Sequence, residues 1–144
     1  MFTGIVQSKS KKKKIIKKNF GAELSVDVEN GFTNNLKKGD SIAVNGVCLT
    51  VCSFTKKNIK FEIIHESLRL TNLIKNSSMP LNLERSLKIG DEIGGHLVSG
   101  HIHGMGKVEE FKKGKEKILT ISKPAAIKEY LSLIHISEPT RRTS

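Results

Sequence analysis

Asn45-Gly46 stands between two short apolar runs, Ser41-Ile42-Ala43-Val44 and Val47-Cys48-Leu49-Thr50-Val51. Asn-Gly is the strongest short-range signal for a hairpin or tight bend, so the stretch from Gly39 to Val51 reads as two strands folded back on each other. Strand side chains alternate between faces. Cys48, Thr50 and Cys52 therefore share one face, and Val47, Leu49 and Val51 share the other. The second set can fill a core. The first is too polar for a plain core face and too small for a solvated one. It suits a wall against which a flat polar ligand lies.

Further strands surround this pair. Phe2 to Val6 reads as a first strand. Ile15-Ile16 sits within the lysine run from Lys11 to Lys18, where lysines on a hairpin edge also block edge-to-edge pairing. Glu23 to Val28 alternates as a half-buried strand, and Asn30-Gly31 ends it. Phe32 to Lys38 is expected to form a helical turn closed by Gly39. Ile59 to Ile64 is a strand, His65 to Asn72 one short helix, and Leu81 to Arg85 an alternating strand after Pro80. About six strands in so short a span, with turn signals between them, predict a small antiparallel barrel or sandwich. After Pro124, Ala125 to Leu133 reads as one short helix.

The chain has 144 residues, enough for one ordinary domain or two small ones. Aromatic residues make up 5% with no Trp, so the core must be aliphatic. No apolar run approaches membrane-spanning length and no secretory signal opens the chain, which points to a soluble, cytoplasmic protein. Cys48 and Cys52 would lie about 13 Å apart on an extended strand, too far for a disulfide, and reduced thiols fit the cytosol. The net charge of +11 invites a polyanion as partner. The excess is nearly all Lys, however, accompanied by abundant Ile and Asn, a profile that adenine/thymine-rich coding produces unaided. No aromatic residue interleaves the lysine run for base stacking. Nucleic acid is not expected as a partner, and neither is a membrane.

Thr3-Gly4-Ile5-Val6-Gln7 matches Ser99-Gly100-His101-Ile102-His103 at an offset of 96 (99 minus 3). Leu24 to Val28 finds a counterpart in Leu119 to Ser122 at nearly the same offset. A duplicated barrel is the expectation. The counterpart of Asn45 to Cys48 should then fall near residue 141, but Glu138 to Ser144 carries no such pattern.

The stretch Gly94 to Gly104 combines His96, His101 and His103 with four glycines. His101 and His103 share a strand face and could hold a metal with His96, Cys48 or a carboxylate. No fourth ligand stands at a characteristic spacing, so no metal is expected. The glycines let backbone approach a ligand closely, which favours main-chain recognition of a flat heterocycle. Nucleotide-binding glycine loops are missing. Cys48 beside a histidine could act as a nucleophile pair, although a small, partly buried Cys is more often packing.

Met1-Phe-Thr-Gly-Ile-Val6, Asn45-Gly-Val-Cys-Leu-Thr-Val51, Glu66-Ser-Leu-Arg-Leu-Thr-Asn72, Asn82-Leu-Glu-Arg85 and Asp91-Glu-Ile-Gly-Gly-His-Leu-Val-Ser-Gly-His101 together resemble the riboflavin synthase alpha-chain family. The resemblance runs from residue 1 to about residue 131. It implies an all-β fold: a six-stranded antiparallel Greek-key barrel over residues 1–96 and an incomplete second copy over 97–131. Residues 132–144 do not resemble the family and read as a foreign or disordered tail. The implied reaction is a transferase dismutation. One 6,7-dimethyl-8-ribityllumazine gives a four-carbon unit to another, yielding riboflavin and 5-amino-6-ribitylamino-pyrimidinedione. No cofactor is implied. The family forms a homotrimer whose active site lies between the first barrel of one subunit and the second barrel of its neighbour; a chain of this length could equally be a homodimer or a monomer.

The resemblance carries site residues with it. Phe2, Gly4, Ile5 and Val6 form one contact strand, and Gly100, His101 and Ile102 its counterpart in the second copy. Ser41, Cys48, Leu49 and Thr50 line the pocket wall. Glu62, Ile63, Ile64, His65, Glu66 and Ser67 contact ring and ribityl chain. His101, Cys48 and Ser41 are the candidates for chemistry, with His101 placed for proton transfer. A non-catalytic lumazine- or flavin-binding module is the alternative.

Overall fold

A computed structural model describes residues 1–11, 13–75, 79–114 and 117–122. Among these residues the chain runs β1 (Ser8–Lys9), β2 (Lys13–Lys18), β3 (Gly21–Asp27), β4 (Ser41–Val44), β5 (Val47–Phe54), β6 (Asn58–Ile64), α1 (His65–Leu70), β7 (Asn82–Arg85), β8 (Val108–Lys113) and β9 (Lys117–Ile121). It divides into two compact units, Met1–Ile102 and the residues from His103 onward.

The first unit is a curled antiparallel sheet in the order β1-β7-β4-β5-β6-β3-β2. Asn45 and Gly46 take φ values of 48° and 81°, the left-handed pair that a two-residue hairpin between right-twisted strands requires. The β4–β5 hairpin forms where the sequence signal places it, with Ala43 opposite Cys48 and Ser41 opposite Thr50. β4, β5 and β6 are successive neighbours, and β7 returns to lie beside β4, which is the Greek-key order. β1 and β2 stand at opposite ends of that order yet are neighbours in the chain. Ser10 N donates to the Leu81 carbonyl and Lys11 N to the Asp27 carbonyl, each at 2.8 Å. Adjacent residues therefore bond toward opposite ends of the strand order, and Ser10 and Lys11 draw the curled sheet round on itself.

Alternation decides what fills it. Leu24, Val26, Ile42, Val44, Leu49, Val51, Ile59, Phe61, Ile63 and Leu83 all point inward and are buried. Among its buried members the core cluster is aliphatic apart from Phe61. β2 carries Lys13, Lys14, Lys17 and Lys18 on the strand paired to β3.

Two sequence expectations need correction. Residues 2–6 are not a strand: Gly4 has a φ of 83°, which breaks the extended run, and only Phe2 makes a bridge, to Val98. Phe32 to Lys38 is a series of turns and not a helix. There the guanidinium of Arg85 donates to the carbonyls of Asn34 (2.5 Å) and Phe32 (3.4 Å), acceptors that a helix would satisfy internally.

In the second unit β8 and β9 form an antiparallel hairpin pairing Phe111 with Leu119. The β2–β3 hairpin pairs Ile15 with Leu24. The two registers differ by 96 (111 minus 15) and 95 (119 minus 24), which is the spacing of the sequence match. Val108, Ile118, Leu119 and Ile121 are about half exposed. The helix expected over Ala125 to Leu133, and the tail 132–144, lie outside the described residues. No helix among the described residues is long and apolar enough to cross a membrane.

Candidate ligand-binding site

Residues directly opposite one another in a sheet share a face. Glu84 of β7 pairs with Ala43 of β4, and Ala43 pairs with Cys48 of β5. These three residues form a row on the face turned away from the core. Ser41 and Thr50 form the next row on that face.

Two glycine-bearing segments lie across this floor. Phe2 N donates to the Val98 carbonyl (2.8 Å), and Val98 N donates back to the Phe2 carbonyl (3.0 Å). His96 N donates to the Thr3 carbonyl (3.0 Å). Thr3 and Gly4 sit over Glu84, whose carboxylate accepts from Thr3 N (2.6 Å), Thr3 Oγ1 (2.8 Å) and Gly4 N (3.2 Å). Gly100 sits over Cys48, whose amide donates to the Gly100 carbonyl at 2.9 Å. Gly4 and Gly100 share a left-handed backbone, with φ of 83° and 80°.

Cys48 and Thr50 thus stand on the polar face that the alternation assigns them, with Ser41 opposite Thr50. Leu49 and Ile63 point into the core at 5% and 1% exposure, which leaves only their backbone for a ligand. Phe2 is also enclosed, at 1%, and its ring packs against Gly100. Ile102 packs on the barrel core, while His101 is exposed and its amide donates to Ser99 Oγ (3.3 Å).

Two of the concavities on the outside of the barrel lie among the described residues. One, of about 700 Å³, is lined by Thr50, Cys52, Glu62 and the Glu23–Lys60 pair at 3.8 Å. The other, of about 520 Å³, holds Gly4 and Val6 with Asn45, Asn82 and Glu84. The structure therefore brings Gly100 to Cys48, outside the linings of both hollows, and puts Gly4 and Val6 in the second of them. Ile5 packs at Gly95.

The segment after β6 supplies the remaining residues. Ile64 is exposed. The Nε2 of His65 is 2.9 Å from the Asn19 carbonyl and so carries the proton. Glu66 takes a fork from Arg69 (2.6 and 3.0 Å), and this hydrogen bond holds its carboxyl below the usual range. The Ser67 carbonyl accepts from Thr71 Oγ1 at 2.7 Å.

Sequence reasoning missed Glu84 as a functional residue. The Asn82-Leu83-Glu84-Arg85 run reads as an ordinary alternating strand, and nothing local shows that residues 2–4 cover it.

The lumazine binding domain model matches residues 3–86. The chain belongs to the lumazine-binding, riboflavin synthase family. It is 43% identical over 116 residues to the riboflavin synthase of Buchnera aphidicola subsp. Baizongia pistaciae, covering 78% of this chain and 54% of that one. With the riboflavin synthase of Escherichia coli strain K12 the identity is 44% over 105 residues, 71% of this chain and 48% of that one. The chain thus spans about half the length of these curated relatives. Its fold resembles LumP complexed with riboflavin, with a TM-score of 0.78 and 25% identity over 90% of this chain and 71% of that one. It also resembles LumP complexed with 6,7-dimethyl-8-(1'-D-ribityl) lumazine, with a TM-score of 0.75 and 25% identity over 87% and 70%.

Proposed function

We propose that the first unit binds 6,7-dimethyl-8-ribityllumazine and riboflavin, and that the chain is part of a riboflavin synthase. The observation that carries this is the seating of Gly100 on Cys48, with the exposed His101 next in line and the hydroxyls of Ser41 and Thr50 on the same face. Backbone brought this close to a small polar wall suits edge recognition of a flat ring, and the relatives and LumP structures carry the matching chemistry. Cys48, Thr50, Glu62 and the Gly100–Ile102 segment contact one ring. Gly4 and Val6, in their own hollow, contact the second ring.

In the reaction so assigned, the acidic 7-methyl of one lumazine loses a proton and two rings held face to face exchange a four-carbon unit. Riboflavin and 5-amino-6-ribitylamino-pyrimidinedione leave. The protein's part is to orient the rings and to move protons, with His101, Cys48 and Ser41 at hand. No cofactor enters. The working assembly is a cytoplasmic homotrimer.

A second reading, a binding module without turnover, is favoured by the chain's spanning only about half of its relatives. Fluorescence titration with lumazine and riboflavin, followed by a turnover assay on the same sample, separates the two. Saturable binding with riboflavin formation supports the enzyme. Binding without turnover supports the module, and no saturable binding of either ligand overturns both.

A further inference from the structure

Glu84 is 7% exposed, and among the described residues no cation pairs with it. Its compensation is the three donors of Thr3 and Gly4. A buried carboxylate held this way is a strong, directional anchor, because charge-assisted hydrogen bonds exceed neutral ones and leaving any of them unmade is costly. What it anchors is more than residues 3 and 4. Thr3 donates its amide to Glu84 and its carbonyl accepts from His96 N, while Phe2 N donates to the Val98 carbonyl and the Phe2 carbonyl accepts from Val98 N. The Val98–Gly100 stretch then lands on Cys48, one Ala43 away from Glu84 along the same row.

We infer that Glu84 is the positioning residue of the ligand-contact wall: through Thr3 and Phe2 it sets where Gly100, His101 and Ile102 stand above Cys48. Its carboxylate lines the hollow of Gly4 and Val6, and its hold on the Gly100–Ile102 segment runs through these backbone bonds. The inference rests on the reading that the Gly100–Ile102 segment faces the bound ring, but the anchoring can be measured without any ligand.

The test is Glu84→Gln in the full 144-residue chain, an isosteric change that keeps an acceptor for Thr3 and turns an NH2 toward Gly4 N–H. Amide exchange by NMR reads the seam directly. The amides of His96, Val98 and Cys48 should exchange about tenfold faster or more, from the loss of charge-assisted bonds, while the β3–β6 amides keep their protection. Titration with 6,7-dimethyl-8-ribityllumazine on the same samples should show about tenfold weaker binding. Unchanged exchange at all three amides overturns the inference, as does a uniform rise that includes β3 and β6. Faster exchange in a chain that binds no lumazine, mutated or not, keeps the anchor and removes the ligand reading. Should Glu84→Gln not fold, Thr3→Ala removes one of the three donors and carries the same expectation at the same amides.

Discussion

Gly4 and Gly100 have the same left-handed backbone, but only Gly100 is enclosed. A Cβ on Gly100 would lie 2.8 Å from the Cβ of Cys48 and 3.1 Å from the ring of Phe2, while nothing stands within 4 Å of one on Gly4. Gly4→Ala therefore meets backbone strain alone, about 1–2 kcal/mol. Gly100→Ala meets the strain and a collision that unseats the segment. It should lower lumazine affinity by at least about tenfold, since the Cys48–Gly100 bond is lost with it. Thermal melts and fluorescence titrations of the two variants side by side check the difference.

Gly21 makes the tightest demand in the barrel. A Cβ there would stand 2.1 Å from the Ile63 carbonyl oxygen, and φ is 144°. Both atoms belong to the paired backbones of β3 and β6, so neither can yield cheaply. Gly21→Ala should cost more than about 4 kcal/mol, the exceptional range for one substitution, and should leave little folded protein by denaturant titration.

The two faces of β5 should separate in experiment. Leu49→Ala truncates a core side chain and should cost about 2–5 kcal/mol. Thr50→Ala removes an exposed hydroxyl from the larger concavity and should leave stability within about 0.5 kcal/mol. The ligand response should be reversed, with Thr50→Ala weakening lumazine binding and Leu49→Ala binding normally below its melting transition.

The Glu66–Arg69 fork gives a pH signature. Arg69 depresses the Glu66 carboxyl, mainly through the hydrogen bond. A depressed carboxyl adds stability above its unfolded range, and that contribution is lost as pH falls through the folded value. The pair is solvent-exposed, so the effect on the melting midpoint should be small. NMR titration of Glu66 is the better readout: Arg69→Ala should return its carboxyl upward to the ordinary range.

Much of the barrel could be read from pattern alone. Glu23 to Val28, Ile59 to Ile64 and the Asn45-Gly46 hairpin are local features, set by alternation and turn chemistry, and they stand where the pattern puts them. The polar face of Cys48 and Thr50 follows from the same period of two. What pattern does not encode is coverage. Glu84 looks like any outward strand acid until residues 2–4, from the far end of the chain, are laid on it. The strand expected over Phe2 to Val6 fails for a similar reason: a glycine permits an extended or a left-handed backbone equally, and the carboxylate that selects between them is eighty residues distant in the chain. Nor does pattern encode that Gly100, far along the chain, comes to bond the amide of Cys48.

The seam at Ser10 and Lys11 has a consequence for how the protein is made. These adjacent amides clasp Leu81 and Asp27, so the margin that the earliest-made residues must seal does not exist until Leu81 has left the ribosome. A nascent chain can form the β2–β3 hairpin early, but the ring must stay unlatched until the β7 segment is translated. Any pause in synthesis before that point leaves an open, sticky sheet for chaperones to shield.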